Sequence, residues 1–495
     1  MISRVILFSL LAGAALADPP PSDADETVDP DEAALFGEAD DETPPTRGSS
    51  SSDSLSEEDV FNGDSEPAAP LFAKEDPLAI GGLLYIRPTW TFTDSSNIED
   101  HPTSMPNLLE VYLDARPSDR LRAFVRGRLT YDPTASDEST TFGLSTGGRD
   151  TVSVSLDQLW LNFDVERVFF VTIGATHVRW GASRIWNPVD VVNTARRDPL
   201  QPFDDRTGIP MVKLHFPMES LGWNLYLVGM LDQVDSIDKA GVAVRAEVVA
   251  LTAELGLTGA IRDGVDGKFG FDWSIGVSGI DLTGELGITF TDEGPRAQLT
   301  GGVQYTGSYG DDDIFVVGAE YFFNQLGHKS VEDSLFAAGG VDDVDGFEQA
   351  LGQSVLADPV PDFTTAEGQA LAASRASAYT ADLFGGLEFF YVGRHYAAMF
   401  ASLPGPGTWD TGNITMSTIG NLSDKSFVAR LDLSWSILTY LRVQTFVQVH
   451  FGQPGELNFG PKVFEQINDK LSPLGQEFDF PAQVAQVGLW LRLDI

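Results

Sequence analysis

The chain has 495 residues, with 73 acidic and 31 basic side chains and a formal net charge of −42. This surplus of negative charge argues against a nucleic-acid-binding function, because the phosphate backbone would be repelled. The chain has no cysteine, which excludes a disulfide framework and thiolate chemistry.

The first 17 residues are typical of a secretory signal peptide. Arg4 supplies the positive charge before the apolar run 5–12, and Ala15-Leu16-Ala17 forms a cleavage site of the small-any-small type. The next residue is Asp18 rather than a cysteine, so no lipid anchor is predicted. No later segment has the ~20 consecutive apolar residues that a transmembrane helix requires.

Residues 18–76 form a compositionally distinct segment. It contains 19 Asp or Glu residues and only two basic ones, and it is rich in Pro and Ser. Such a segment buries too little apolar surface to offset its chain entropy, so we predict a disordered acidic tether. Three short islands, 35–37, 60–62 and 71–73, each carry a Phe. They fit either a docking sequence for a periplasmic partner, a mobile plug, or a plain linker.

From residue 77 onward, short runs alternate between apolar and polar residues, which is the period of a β-strand with two different faces. The segment 77–495 therefore predicts an all-β fold, a transmembrane antiparallel β-barrel of about 16–18 strands. The count is open because Ile414 to Ile419 fits either a strand or a loop. The predicted strands are 79–93, 105–115, 120–131, 152–164, 168–179, 209–217, 222–232, 239–249, 251–261, 267–278, 280–291, 296–306, 313–324, 379–391, 394–403, 425–436, 440–451 and 483–495.

The connections between these strands tend to alternate between short and long. Starting from a periplasmic N-terminus, this alternation places every long connection on the outer side, as in outer-membrane barrels. A barrel of this width leaves an aqueous lumen rather than a packed core. The long connections are predicted near 94–104, 132–151, 180–208, 325–378, 404–424 and 452–482.

The alternation also predicts which charged side chains face the lumen. In strands 105–115 and 120–131, we expect Asp114 opposite Arg122, Tyr112 opposite Phe124, and Glu110 opposite Arg126, leaving Arg128 without an obvious acidic partner. Cross-strand pairs of opposite charge stabilise a sheet, so one interpretation is a salt-bridged inner wall. The other is a basic stripe that attracts anions. The same alternation points four further arginines inward: Arg245, Arg430, Arg442 and Arg492.

The connection after strand 168–179 has the most distinctive composition. It contains Trp180-Gly181, then Asn187-Pro188-Val189-Asp190, and many arginines. This segment resembles a Trp-Gly … Asn-Pro-x-Asp element of porin-like outer-membrane barrels. The resemblance implies a porin-like barrel and does not specify a substrate.

Two interpretations of this connection stay open and are compatible. In the first, it folds into the lumen as a constriction whose arginines contact an anionic or polyhydroxylated solute, while Trp180 or Trp186 stacks on it. In the second, it braces the inner wall through Arg–Asp pairs. The candidate pore residues are Arg122, Arg126, Arg128, Arg179, Trp180, Arg184, Trp186, Asn187, Asp190, Arg196 and Arg197.

The last eleven residues alternate strictly, with apolar side chains at every second position from Ala485 to Ile495. The segment resembles the C-terminal assembly signal of bacterial outer-membrane barrels, with Gln486, Gly488, Leu491 and Leu493 at the signal positions. That family usually ends in Phe or Trp, whereas this chain ends in Ile495. The resemblance implies the outer membrane as the location.

The sequence shows no convincing catalytic or metal-binding constellation, so we predict neither an enzyme nor a cofactor. The Gly-x-Ser-x-Gly string at 143–147 lies in a polar predicted loop without the strand-to-helix turn that such a nucleophile needs. Asp343-Val344-Asp345-Gly346 lacks the ligand spacing of an EF-hand. A surface enzyme is therefore disfavoured.

We therefore predict a channel for the passive or substrate-selective passage of small hydrophilic solutes, anionic ones among them. The expected partners are outer-membrane lipid, the solute and a periplasmic partner of the tether, with no nucleic acid. Two alternatives remain: a barrel that anchors its outer loops or its docking tether, and a transporter of hydrophobic solutes. The oligomeric state is left open.

Overall fold

The computed structural model describes the barrel segment and leaves the N-terminal segments outside the described residues. The predicted signal peptide 1–17 and acidic tether 18–76 therefore lie outside it, as does most of the 143–147 string. The described residues are 77–495 except 136–139, 142–143, 146–150, 194, 202, 233, 235, 237–238, 251, 311–312, 342, 363, 366, 369–370, 372–373, 376–378, 380–386, 410 and 465–480.

Eighteen antiparallel strands form a closed barrel, which confirms the predicted fold and fixes the strand number. Strand β1 comprises Leu78–Ile86 and, after a break at Arg87-Pro88, Thr89–Thr93. The other strands are β2 Asn107–Ser118, β3 Leu121–Tyr131, β4 Val152–Val165, β5 Phe169–Thr176, β6 Ile209–Met218, β7 Trp223–Met230, β8 Gly241–Ala250, β9 Ala253–Arg262, β10 Val265–Val277, β11 Ile280–Thr291, β12 Gly294–Tyr309, β13 Asp313–Asn324, β14 His395–Pro404, β15 Gly412–Asn421, β16 Ser426–Leu438, β17 Leu441–Gly452 and β18 Gln483–Asp494.

The barrel closes between its first and last strands. Leu84 lies opposite Leu109 of β2 on one side and opposite Leu493 of β18 on the other. The sheet therefore has no open edge, and the strand backbones satisfy one another's hydrogen bonds.

One predicted strand is wrong and another takes its place. The described residues 387–391 of the predicted strand 379–391 form no strand. Instead, Leu387 and Phe389 pack against a small apolar cluster above the barrel, which explains why this segment is apolar at intervals. The ambiguous residues Ile414 to Ile419 belong to β15, so the predicted long connection 404–424 is two shorter ones around a strand.

The predicted placement of the long connections at one end of the barrel is confirmed, except for 404–424, which contains a strand. The longest of them, 94–106, 132–151, 177–208, 325–394 and 453–482, all lie at one end of the barrel. Two-residue turns such as 119–120 and 278–279 lie at the opposite end. This asymmetry matches outer-membrane barrels with long outer loops and short periplasmic turns.

The outer loops build a small apolar core of their own. Helices α1 (Val331–Ala338) and α2 (Val344–Val355) pack together, with Val392 and Phe459 from neighbouring segments in the same cluster. Ser330 and Asp343 cap the two helices by accepting hydrogen bonds from the Asp333 and Gly346 amides, which satisfies amides that a helix start leaves unpaired.

None of the helices in the described part of the chain is long and apolar enough to cross a bilayer.

Candidate functional site: a loop across the lumen

The connection 177–208, hereafter the lumen loop, folds into the barrel and contacts its inner wall on opposite sides. Its first part, residues 183–189, contacts β10 to β14. Its last part, residues 203–208, contacts β1, β3 and β4. Because β2 and β11 lie across from each other in a ring of 18 strands, the loop spans the lumen.

Two wall carboxylates bind the backbone of the first part. Glu285 of β11 accepts hydrogen bonds from the amides of Ser183 (2.6 Å) and Val189 (3.3 Å). Glu320 of β13 accepts from the amides of Arg184 (3.0 Å), Ile185 (3.3 Å) and Trp186 (2.8 Å). The Ser183 hydroxyl also lies 2.6 Å from that of Thr300 on the intervening strand β12.

Trp186 fixes the same part of the loop through its side chain. Its ring is 0% exposed and stacks on Phe322 at a centroid distance of 5.5 Å. Tyr396 packs against it from β14 at 5.6 Å. The indole N–H donates to the carbonyl oxygen of Phe390 (3.0 Å), so the lumen loop is tied to the 325–394 connection.

The wall has room for the loop because two inward positions lack side chains. A Cβ atom on Gly287 would lie 2.6 Å from the Pro188 carbonyl oxygen, and one on Gly270 would lie 2.8 Å from a methyl group of Val189. Both distances are below van der Waals contact, so glycine is required for this approach.

The last part of the loop attaches to the opposite wall mainly through Arg128. Its guanidinium donates to the Asp205 carbonyl oxygen (2.9 Å) and lies 5.0 Å from the ring centre of Phe203. Arg87, at the break in β1, lies 3.6 Å from the Asp205 carboxylate. The Gly208 amide donates to the Asp157 carbonyl oxygen of β4 (2.9 Å).

A polar cleft of about 550 Å³ lies along the middle and last parts of the loop. Side chains of both charge signs line it, and Asp204 and Arg206 form an ion pair there at 2.7 Å. Burial acts to raise the pKa of Asp204, but the hydrogen bonds and charge of Arg206 outweigh it and lower that pKa to about 2. The polar lining residues include Asn193, Arg196, Arg197, Asp198, Gln201, Asp204, Asp205, Arg206 and Asp232.

Of the predicted loop residues, Arg196 and Arg197 line this cleft. Arg196 lies 4.0 Å from Glu388 and 5.0 Å from the ring centre of Tyr391. Arg184 lies away from the cleft, 4.4 Å from the ring centre of Phe400. Burial and the nearby charge of Arg179 lower the pKa of Arg184 to about 9.

The other predicted loop residues hold the loop together. Arg179 donates to the carbonyl oxygens of Ser183 (2.7 Å) and Arg184 (3.1 Å). Asn187 lies with its amide nitrogen toward the Ser183 carbonyl (2.5 Å) and its oxygen toward Nε of Arg179 (2.9 Å). Asp190 is buried, accepts from Asn193 (2.7 Å), and has a pKa raised by its burial.

The stacking role expected for Trp180 or Trp186 is wrong. Trp180 is 4% exposed and Trp186 is 0% exposed, so neither ring presents a face to a solute. Trp180 packs with Val191 and Met211 between the loop and the wall. Both tryptophans therefore brace the loop, because their large apolar area is buried against the barrel wall.

The wall arginines are paired, but the expected register is wrong. Asp114 lies opposite Phe124, Tyr112 opposite Arg126, and Glu110 opposite Arg128. The physical reason is that the turn is only 119–120, with a register shift between Ala115 and Ser118. Arg128 therefore has the acidic partner that the sequence did not suggest, Glu110 at 2.8 Å.

Ion pairs also occur at other positions of the inner wall. Arg122 still reaches Asp114 (2.9 Å), and Arg126 lies 3.7 Å from Asp157. Arg245 pairs with Asp272 (2.7 Å), and Arg430 pairs with Asp432 (2.7 Å). These contacts favour the salt-bridged inner wall over an unpaired basic stripe.

The sequence reading missed several site residues. Phe203, Asp204, Asp205 and Arg206 lie at or beside the cleft, and the only sequence signal for them was their place in a connection rich in Arg and Asp. The carboxylates Glu285 and Glu320 were missed because their partners are backbone amides that are 96 to 136 residues away along the chain.

The outer surface of the barrel identifies its environment. Exposed aliphatic side chains cover the strands, including Leu489, Leu491 and Leu493 of β18. Exposed aromatic residues lie near both ends. One group comprises Trp223, Tyr305, Tyr309, Trp409, Trp435 and Tyr440, and the other comprises Trp90, Phe92, Phe269, Phe290, Tyr321 and Phe451. An apolar band between two aromatic girdles is the surface of a transmembrane β-barrel of the outer-membrane type.

Several solved structures are similar to this one over most of its length. OccAB4 of Acinetobacter baumannii has a TM-score of 0.49 at 8% identity, covering 85% of this chain and 98% of that chain. OpdK of Pseudomonas aeruginosa, solved with vanillate, has a TM-score of 0.46 at 10% identity, covering 84% and 98%. OccK2 (OpdF) of the same organism, in complex with glucuronate, has a TM-score of 0.46 at 9% identity, also covering 84% and 98%. No family model and no curated protein matches the sequence.

Proposed function

We propose that the protein is an outer-membrane channel for small hydrophilic solutes, in which the lumen loop narrows the passage and the cleft beside it selects the solute. The observation that carries this proposal is the attachment of one loop to opposite walls of a wide barrel. This attachment leaves a polar opening of about 550 Å³, a volume within the range of small-molecule sites.

The lining of the cleft favours hydrophilic over hydrophobic solutes. An apolar molecule there would take charged groups out of water without replacing their hydrogen bonds, which is unfavourable. Arg196 and Arg197 can donate to carboxylate or hydroxyl groups of a solute. We assign solute contact to Arg196 and Arg197 because both line the cleft.

Single-channel recording of the refolded protein in a planar bilayer tests the proposal, with the reversal potential measured under a salt gradient. The variant R196Q/R197Q removes two positive charges from the cleft. We expect it to keep stable conductance steps and to shift the reversal potential toward cation preference, because charged side chains at a narrow point set ion selectivity.

The variant R442Q/R492Q is the matched control. It removes the same charge from inward positions of β17 and β18 at the end of the barrel that carries the short turns. Arg492 is paired there with Asp494 at 3.0 Å. Equal shifts in both variants would contradict a selective role for the cleft. Absence of conductance from the folded wild-type barrel would favour the alternative function, a barrel that anchors its outer loops.

We also propose, from composition alone, that 1–17 is a cleaved signal and that 18–76 is an acidic periplasmic tether. Removal of 18–76 tests whether this segment enters the lumen. Unchanged conductance and selectivity would assign the tether to a periplasmic partner or to a linker role, whereas a larger conductance would identify a plug.

A further inference from the structure

We infer that Glu285 and Glu320 are positioning residues that set the width of the passage by binding the backbone of the lumen loop. This inference rests on the proposed channel function for its effect on conductance. The attachment of the loop itself is independent of that function and can be measured separately.

The first observation is the number of backbone amides that the two carboxylates bind. Ser183, Arg184, Ile185 and Trp186 are consecutive, and the amide of each donates to Glu285 or Glu320, as does that of Val189. None of these residues lies in a helix or strand. Consecutive amides that point to one side form an anion-binding concavity, and here the barrel wall supplies the anions.

The second observation is the burial of the two carboxylates. Glu285 is 3% exposed and Glu320 is 4% exposed, although both project from strands that enclose a wide lumen. The loop covers them. A buried carboxylate is stable only where several donors reach it, so the loop and the two glutamates depend on each other.

The third observation is the shape of the wall around them. Gly287 is two residues from Glu285 on the same face of β11, and Gly270 lies on the lumen face of the adjacent strand β10. Together with Thr300, which contacts Ser183, they form a seat that admits the loop backbone. Gly181, at a φ of +115°, turns the chain toward this seat, and a Cβ atom there would lie 2.5 Å from Glu285 Oε1.

Glutamate is suited to this role because each of its oxygens accepts hydrogen bonds. In Glu320, one oxygen accepts from Arg184 and Ile185, while the other accepts from Ile185 and Trp186. Glutamine has the same shape but would turn an N–H₂ group toward N–H donors. Substitution by glutamine therefore removes acceptors without opening a cavity.

Hydrogen–deuterium exchange of the folded protein in detergent tests the attachment directly. In the wild type, we expect the amides of residues 183–186 to be protected although they lie outside regular secondary structure. In E285Q, E320Q and the double variant, we expect their exchange to be roughly ten- to a hundredfold faster, as the loss of a hydrogen bond to a charged acceptor implies.

The matched control is D272N. Asp272 is also a buried inward carboxylate and lies directly opposite Glu285 on β10, but its partner is Arg245. The control therefore removes the same charge from the same region without touching the loop. Heat-dependent electrophoretic mobility verifies that each variant has a folded barrel.

The same proteins are then recorded in planar bilayers. We expect E285Q/E320Q to show noisier steps of altered conductance, and D272N to resemble the wild type. Rapid exchange of residues 183–186 in the wild type, or equal exchange in wild type and double variant, would overturn the inference. Protected amides in a wild type that never conducts would instead support the attachment and refute the proposed channel function.

Discussion

We predict that Glu456 makes the outer loops sensitive to pH, and its environment gives the direction and size of the effect. It is 2% exposed, and its carboxylate accepts hydrogen bonds from the hydroxyl of Tyr396 (2.6 Å), the side chain of Asn421 (2.9 Å) and the amide of Phe390. These contacts join the 453–482 connection to the 325–394 connection and to the barrel rim at β15.

Burial is the largest influence on this carboxyl group, and the nearby Asp424 adds to it. Together they raise the pKa of Glu456 from 4.5 to about 7, against the opposing hydrogen bonds. Burial also raises the pKa of Asp424, whose carboxylate accepts from the Glu456 amide (2.8 Å). Both groups therefore change the stability of the loops in the same direction.

A folded-state pKa above the unfolded value means that the folded loops bind the proton more tightly. The stabilisation is therefore fully present below pH 4.5 and is lost as the pH rises through about 7. A pKa raised from 4.5 to about 7 corresponds to roughly 3 kcal/mol. We expect the outer loops to open more readily at pH 8 than at pH 5.

Hydrogen–deuterium exchange of peptides covering residues 387–394 and 453–459, corrected for the intrinsic pH dependence of exchange, measures this opening. The variant E456Q removes the titrating group and should flatten the profile, leaving only the contribution of Asp424. Profiles that are flat in the wild type, or equally steep in wild type and E456Q, would refute the reasoning.

Two further predictions concern the seat of the lumen loop. In G287A, the new Cβ atom would lie 2.6 Å from the Pro188 carbonyl oxygen, so we expect a displaced loop and a changed conductance. G301A, which adds a methyl group where no atom lies within 4 Å, should conduct as the wild type does; equal behaviour of the two variants would contradict the seat. For Trp186, we expect W186A to weaken loop attachment by about 3–5 kcal/mol through lost packing. W186F should cost less, about 1–3 kcal/mol, since it keeps an aromatic ring in the site and loses mainly the hydrogen bond to Phe390. Urea dependence of proteolysis within 177–208 measures both, and equal susceptibility of the two variants would contradict this division.

The fold could be predicted because each strand carries its own signal. In β18, the alternation of Leu489, Leu491 and Leu493 with polar residues predicts an outer and an inner face, and the exposure of these leucines confirms it. The wrong prediction of a strand at 379–391 has a related cause. Leu387 and Phe389 are apolar because they pack on the loop cluster around α1 and α2, and a short apolar segment does not reveal whether its partner is lipid or another loop.

Residue pairing was harder to predict than strand position. A turn of two residues at 119–120 with a register shift places Glu110 opposite Arg128 instead of Arg126. Since side chains alternate with a period of two, a shift by two residues preserves the inner face and changes only the partners. The composition of the inner wall was therefore predictable, whereas its individual pairs were not.

The position of the lumen loop is also indicated by the sequence, through the neighbours of the inward carboxylates. In a wide barrel, an inward carboxylate needs either water or a partner, and a basic residue on an adjacent strand is the simplest partner. Glu285 has Asp272 and Thr300 opposite it, and Glu320 has Gly302 and Ala398. None of these four can neutralise a carboxylate, yet both glutamates are buried. An inward carboxylate that has no basic residue opposite it on either adjacent strand is therefore a sign that a loop covers it. This criterion, combined with the presence of inward glycines nearby, identifies the wall of β10 to β13 as the place where the lumen loop binds.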